Sequence, residues 1–196
     1  MKKFLALLCL VGTVVSVWWC WQHNRTGPAA AISLLGMLSD DNTNGYAVAG
    51  APGAVQFPRD FGPHESYRTE WWYYTGNLES ADGRLFGYEL TFFRRALVAP
   101  GKSSATADAS WRSDQVYSAH FAVSDIANGR FHPAEKMGRK ALGIAGATAQ
   151  PFAVWLEDWN CHQTSSNSVE LSAKSDEATV DLSLNQTLPP ILQGDN

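Results

Sequence analysis

The sequence predicts an all-β protein, an antiparallel barrel or half-barrel that follows an N-terminal apolar helix. Three observations carry this expectation. Short runs of alternating apolar and polar residues are separated by turn dipeptides. Aromatic residues reach 12% while charged residues make up only 17%, with 8 Trp among 196 residues. Large flat side chains suit a pleated sheet surface, and so few charges leave little to solvate the outer faces of helices. Finally, an uncharged run opens the chain.

That run is Phe4 to Gln22, preceded by Lys2 and Lys3. A basic start followed by an apolar stretch is the pattern of an export signal. As a helix, Phe4 to Trp21 would be about 27 Å long, close to the hydrocarbon thickness of a bilayer. Trp18, Trp19 and Trp21 would lie at its outer interface, with the two lysines inside. Residues 1–22 therefore read as a signal anchor, or as a signal peptide cut near Ala29-Ala30-Ala31. Either reading puts the remainder outside the cytoplasm, in the periplasm, anchored to the inner membrane or secreted. Residues 23–56 read as a linker, from the composition of Asp40 to Gly45 and of Ala49 to Ala54. Ile32 to Leu38 has room for one or two helical turns.

The folded part is expected over 57–196. Aromatic and β-branched residues fill Arg68–Leu78 and Arg84–Leu97, interrupted by Asp82-Gly83, a hairpin signal. With a two-residue loop, paired positions sum to 165. Trp72 then faces Phe93, Tyr74 faces Thr91 and Glu70 faces Arg95. The face carrying Trp71, Tyr73, Phe92, Leu90, Tyr88 and Phe86 is the more apolar, and is taken as the core. Further strands are expected at Gln115–Ser124, Gly129–Pro133, Phe152–Trp159, Ser168–Ala173 and Thr179–Leu184, with Asn128-Gly129 as a second hairpin turn. The last two alternate with period two. Ala134–Gln150, rich in Ala and Gly, reads as a long loop. A meander protects its edges by closing, and about eight strands suffice to enclose a small ligand.

Two blocks are distinctive: Phe57-Pro58-Arg59-Asp60-Phe61-Gly62-Pro63-His64, and Tyr67-Arg68-Thr69-Glu70-Trp71-Trp72-Tyr73-Tyr74-Thr75-Gly76-Asn77-Leu78. With Gly87–Arg94, Val154–Trp159 and Pro189–Asp195, they resemble the carotenoid 1,2-hydratase (hydroxyneurosporene synthase) and AttH-like family, whose members are also labelled predicted secreted hydrolases. The resemblance implies a pair of lipocalin-like β domains, of which 57–196 is the first. The second would be missing, and the chain cut short. It also implies cofactor-free addition of water to a terminal isoprenoid double bond. The family's acidic His/Trp segment belongs to the second domain and has no counterpart here, so hydration would require that domain.

Among candidate site residues, Glu70 beside Trp71 and Trp72 has two readings. One is a desolvated proton donor for alkene hydration. The other, preferred, is a structural ion pair with Arg94 or Arg95. Trp72, Tyr74, Phe93 and His120 are candidates for binding an apolar ligand, although a lone strand histidine such as His120 is more often a hydrogen-bonded structural residue. His64 reads as a turn or rim residue and Asp158 as a strand-end acceptor. Cys161 and His162 are adjacent, a poor geometry for a metal or a dyad. The sequence has no GxSxG elbow, P-loop, dinucleotide fingerprint or HExxH. Of three cysteines, Cys9 and Cys20 lie in the apolar segment, so a disulfide framework and a CxxC metal knuckle are both excluded. No metal or organic cofactor is expected. A net charge of -4, without a basic run longer than two residues, excludes a nucleic-acid partner. Expected partners are an apolar small molecule, the second lipocalin-like domain, the membrane through the N-terminal helix, and a membrane transporter. The function expected is an exported lipocalin-like domain that binds an elongated isoprenoid or lipid. The alternative is a non-catalytic lipid-handling or assembly module at the membrane surface.

Overall fold

A computed structural model of the chain describes residues 43–48, 56–102 and 113–191. All lie in a unit running from Asp41 to Asn196. The expected N-terminal helix, most of the linker and the last residues of the Pro189–Asp195 block fall outside the described residues. Among those described, no helix is long and apolar enough to cross a membrane.

Among the described residues, nine antiparallel strands follow one another as two meanders. The first sheet is β1 (Thr69–Glu79), β2 (Leu85–Ala96), β3 (Gln115–Asp125) and β4 (Arg130–Arg139), in that order. The second is β5 (Ala145–Ala149), β6 (Phe152–Leu156), β7 (Trp159–Ser165), β8 (Ser168–Lys174) and β9 (Thr179–Asn185), also in order. A 3₁₀ turn, η1 (Arg59–Phe61), precedes β1. The expectation of an all-β antiparallel half-barrel holds; the sheets do not close into a barrel.

Alternation decides which side chains meet, because successive residues of a strand point to opposite faces. On the first sheet Trp72, Leu90, Phe92, Tyr117, Ala119 and Phe121 face inward. On the second, Val154, Leu156, Trp159, Cys161, Leu171 and Ala173 do so, and the two sets form one buried cluster. Phe121 and Trp159 meet edge to face across the core, ring centroids 5.6 Å apart.

Three expectations are corrected. The first hairpin pairs with a sum of 164: Glu70 opposes Arg94, Trp72 opposes Phe92 and Tyr74 opposes Leu90. The cause is the loop. Ser80 and Arg84 still bond to each other, so the turn has three residues, Ala81 to Gly83, with Gly83 at φ 81°. A three-residue loop ending in a left-handed glycine is a standard hairpin closure. The one-residue slip puts Trp71 and Tyr73 outside and Trp72 and Tyr74 inside.

The presumed strand Phe152–Trp159 is two strands, with Leu156 opposite Trp159 and Glu157 turning the chain at φ 57°. The left-handed position is taken by Glu157, not by a glycine or asparagine, so a strong hairpin dipeptide is missing. Finally, Ala134–Gln150 is largely not a loop. Its first part completes β4 and its last part is β5, joined through Leu142 (φ 52°) and Gly143 (φ 75°). Pro133 is tolerated because β4 is an edge strand.

Candidate functional site

The segment before β1 straps the open side of the sandwich, and the distinctive block at 57–64 is what pins it. Trp72 donates its indole N–H to the Phe61 carbonyl at 2.9 Å. Gly62 lies so close to β5 that a Cβ there would come within 2.5 Å of the Ala149 Cβ and 2.6 Å of its Cα. The strap thus touches both sheets. The Arg59 guanidinium, helped by the Gln56 N–H, holds the Asp60 carboxyl down at about 2.

Glu70 anchors the end of the strap. Its carboxylate accepts the His64 backbone N–H at 2.9 Å, lies 2.6 Å from His64 Nδ1 and accepts Arg94 Nε at 3.1 Å. Arg94 has no solvent exposure, and its Nη2 donates to the His64 and Tyr67 carbonyls at 2.9 Å each. These Arg94 bonds tie β2 to the start of β1 and to the chain entering it. Arg95 points elsewhere and donates to Thr69 Oγ1 at 3.4 Å.

Beneath Phe61, at the end of the sandwich bounded by the β7–β8 hairpin, lies a cavity of about 260 Å³. Phe61, Tyr74, Phe152, Val169 and Leu184 supply its apolar wall. Gln163, Asn167, Asn185 and Gln186, with Ser165, Ser166 and Ser168, supply a polar rim. The wall arises from register: Phe152 on β6, Gln163 on β7, and Val169 paired with Leu184 on β8 and β9 all lie toward one end of the inward face. Gln163 is paired with Val169 and takes an inward position that its neighbours fill with apolar groups. The strand is irregular just after it, between Gln163 and Ser165. A bulge of this kind re-aims side chains and ends regular pairing.

At the cavity floor Tyr74 turns its hydroxyl inward and shares a hydrogen bond with the Cys161 thiol. Burial raises the tyrosine well above its ordinary range and pushes the thiol from 9.0 up to about 11. Cys161 is a protonated core residue here, not a nucleophile.

The candidate ligand set is split by the sheet. Tyr74 lines the cavity and Trp72 holds the strap above it. Phe93 and His120 lie on the opposite face, with ring centroids 5.2 Å apart. That outer face also carries Trp71 and Tyr73, 62% and 56% exposed. His120 is half-exposed, its Nε2 4.0 Å from Glu135. Asp158 pairs with Lys136 at the β6–β7 turn. His162 points away from its buried neighbour Cys161 and lies 3.3 Å from Glu170. Among the described residues no group of three or more His, Cys, Asp and Glu is placed to hold a metal ion. Sequence reasoning missed Phe61, Phe152, Val169, Leu184 and the amide rim. The available signal was Gln163, a polar residue in phase with inward Cys161.

A model of AttH-like proteins matches residues 48–196. The chain belongs to the AttH-like family. The matched stretch includes every strand, the strap and the cavity. The AttH-like chain is also similar to the crystal structure of a protein from Nitrosomonas europaea assigned as an AttH. The two share 32% identity and a TM-score of 0.63. That match covers 76% of this chain and 43% of the other, so the AttH-like chain spans less than half the length of that relative. No curated protein matches the sequence.

Proposed function

We propose that this AttH-like unit binds the end of an elongated apolar ligand, an isoprenoid or lipid chain, in the cavity between its sheets. The observation that carries the reading is the cavity itself, with three aromatic rings and two aliphatic side chains as its wall. Small-molecule sites are concave, mostly apolar and marked by a few convergent polar groups. At about 260 Å³ the cavity lies near the lower edge of the ~300–1,000 Å³ range of such sites. It admits a chain end, and the rest of an elongated ligand would extend past the rim. Tyr74, whose phenol burial keeps protonated far above neutral pH, is the one titratable residue lining it, and no carboxyl or imidazole does. Hydration of an alkene, which needs a placed proton donor, would therefore depend on a second domain. Glu70 is committed to His64 and Arg94, which favours the anchoring role over the catalytic one.

The test is uptake of N-phenyl-1-naphthylamine, an apolar fluorophore, by the purified chain. Enhanced emission that is lost in Leu184→Asp supports the reading, because a carboxylate in the wall opposes an apolar guest. Emission unchanged by the protein would sink it.

The outer face of the first sheet favours a second reading, an assembly or lipid-handling module, since Trp71, Tyr73, Phe131 and Met137 are exposed there. Export is proposed from the basic start and the apolar run after it; a phosphatase reporter fused after residue 196 and active only outside the cytoplasm tests it.

A further inference from the structure

We infer that the ligand carries an uncharged hydroxyl where it crosses the rim, so that the site selects alcohols over carboxylates, phosphates and ammonium ions. This rests on the cavity being a ligand site and adds the chemistry of the ligand's head. The seven polar residues at the rim are all amides or hydroxyls, with no Lys, Arg, His, Asp or Glu among them. A charged head held at such a rim finds no counter-ion among the lining groups, whereas a neutral polar head needs none.

The amides are oriented, and their orientation reads as a hydroxyl. Gln163 Oε1 accepts the Phe152 backbone N–H at 3.2 Å, which leaves its NH₂ as a donor toward the cavity end of β7. Asn185 Oδ1 accepts the Ser168 hydroxyl at 2.6 Å, which likewise leaves the Asn185 NH₂ as a donor. Gln186 does the reverse. Its Nε2 donates to the Leu188 carbonyl at 2.8 Å, leaving Oε1 as an acceptor. The rim thus offers both donors and an acceptor. A hydroxyl, with one donor and two acceptor lone pairs, matches that mixture. A carboxylate or phosphate ester is acceptor-only and meets the Gln186 oxygen unfavourably, while a trimethylammonium offers no donor at all. Tyr74 does not alter the balance, because its hydroxyl is buried at the floor beside Cys161 and not at the rim.

The experiment is displacement of N-phenyl-1-naphthylamine from the purified chain at pH 8 by three ligands of one chain length: 1-decanol, decanoate and decyltrimethylammonium. Decanol is expected to displace the probe at roughly tenfold lower concentration than either ion, the equivalent of one good hydrogen bond. In Asn185→Leu, with an unchanged melting temperature, that preference is expected to fall toward one. Decanoate or the ammonium displacing the probe as well as decanol overturns the inference while leaving the cavity as an apolar-chain site. Failure of the probe and of all three chains to bind overturns the cavity reading as well.

Discussion

Trp71 and Trp72 are neighbours of one residue type, yet one is 62% exposed and the other 9%. The same split separates Tyr73 from Tyr74. One face of β1 meets the second sheet, where Trp72 holds the strap and Tyr74 floors the cavity. The other shares its surface with Phe93 and His120 and meets no other sheet among the described residues. Residue type does not distinguish the two faces. Parity does, and the parity of the whole strand is fixed by the length of one hairpin loop.

The largest effects should come from the inward face. Trp72→Ala removes a buried indole and the bond that holds Phe61, and is expected to cost about 3–5 kcal/mol in denaturant unfolding. A cost below that of Trp71→Ala would break the comparison and imply the register that sums to 165. Next, Glu70→Gln leaves the fully buried Arg94 without its counter-charge, with an expected loss of about 3 kcal/mol. If a guanidine melt shows no loss, the strap is held by other contacts. Gly62→Ala forces a methyl against the β5 backbone, and overpacking of this kind costs about 1–3 kcal/mol. Because the strap roofs the cavity, the variant should also weaken uptake of the apolar probe.

A smaller effect sharpens the inward side chemically. The folded Cys161 thiol titrates near 11, above its ordinary 9.0, because burial disfavours the thiolate. The folded protein therefore holds its proton where the unfolded chain loses it. This contribution to stability is complete below pH 9 and is lost as the pH rises through 11. Cys161→Ala should flatten that part of the stability profile, and the native thiol should resist Ellman's reagent at pH 8 until denaturant is added. Smallest of all, Trp71→Ala should change stability by no more than about 0.5 kcal/mol, as exposed substitutions do.

Much of this was legible from residues alone. Period-two alternation located β8 and β9, Asn128-Gly129 located a hairpin whose Gly129 has φ 59°, and Glu70 had a cationic partner across β2. What escaped has a common cause. At both turns a residue without turn preference, Glu157 or Leu142, takes the left-handed conformation, so β5, β6 and β7 were hidden. Arg94 and Arg95 are chemically equal in sequence, and only register sends one inward to His64 and Glu70. The cavity was illegible because its wall joins residues from η1, β1, β6, β8 and β9, far apart in the chain.

Alternation, composition and the 57–78 motif are local properties that each segment carries alone, and they were enough to reveal the class of architecture and the family. Which aromatic residues form the core, which arginine closes on Glu70, and where a ligand would enter were decided by tertiary structure. Those depend on strand register and sheet-on-sheet contact, and a three-residue turn instead of two is enough to reverse every inward and outward assignment along β1.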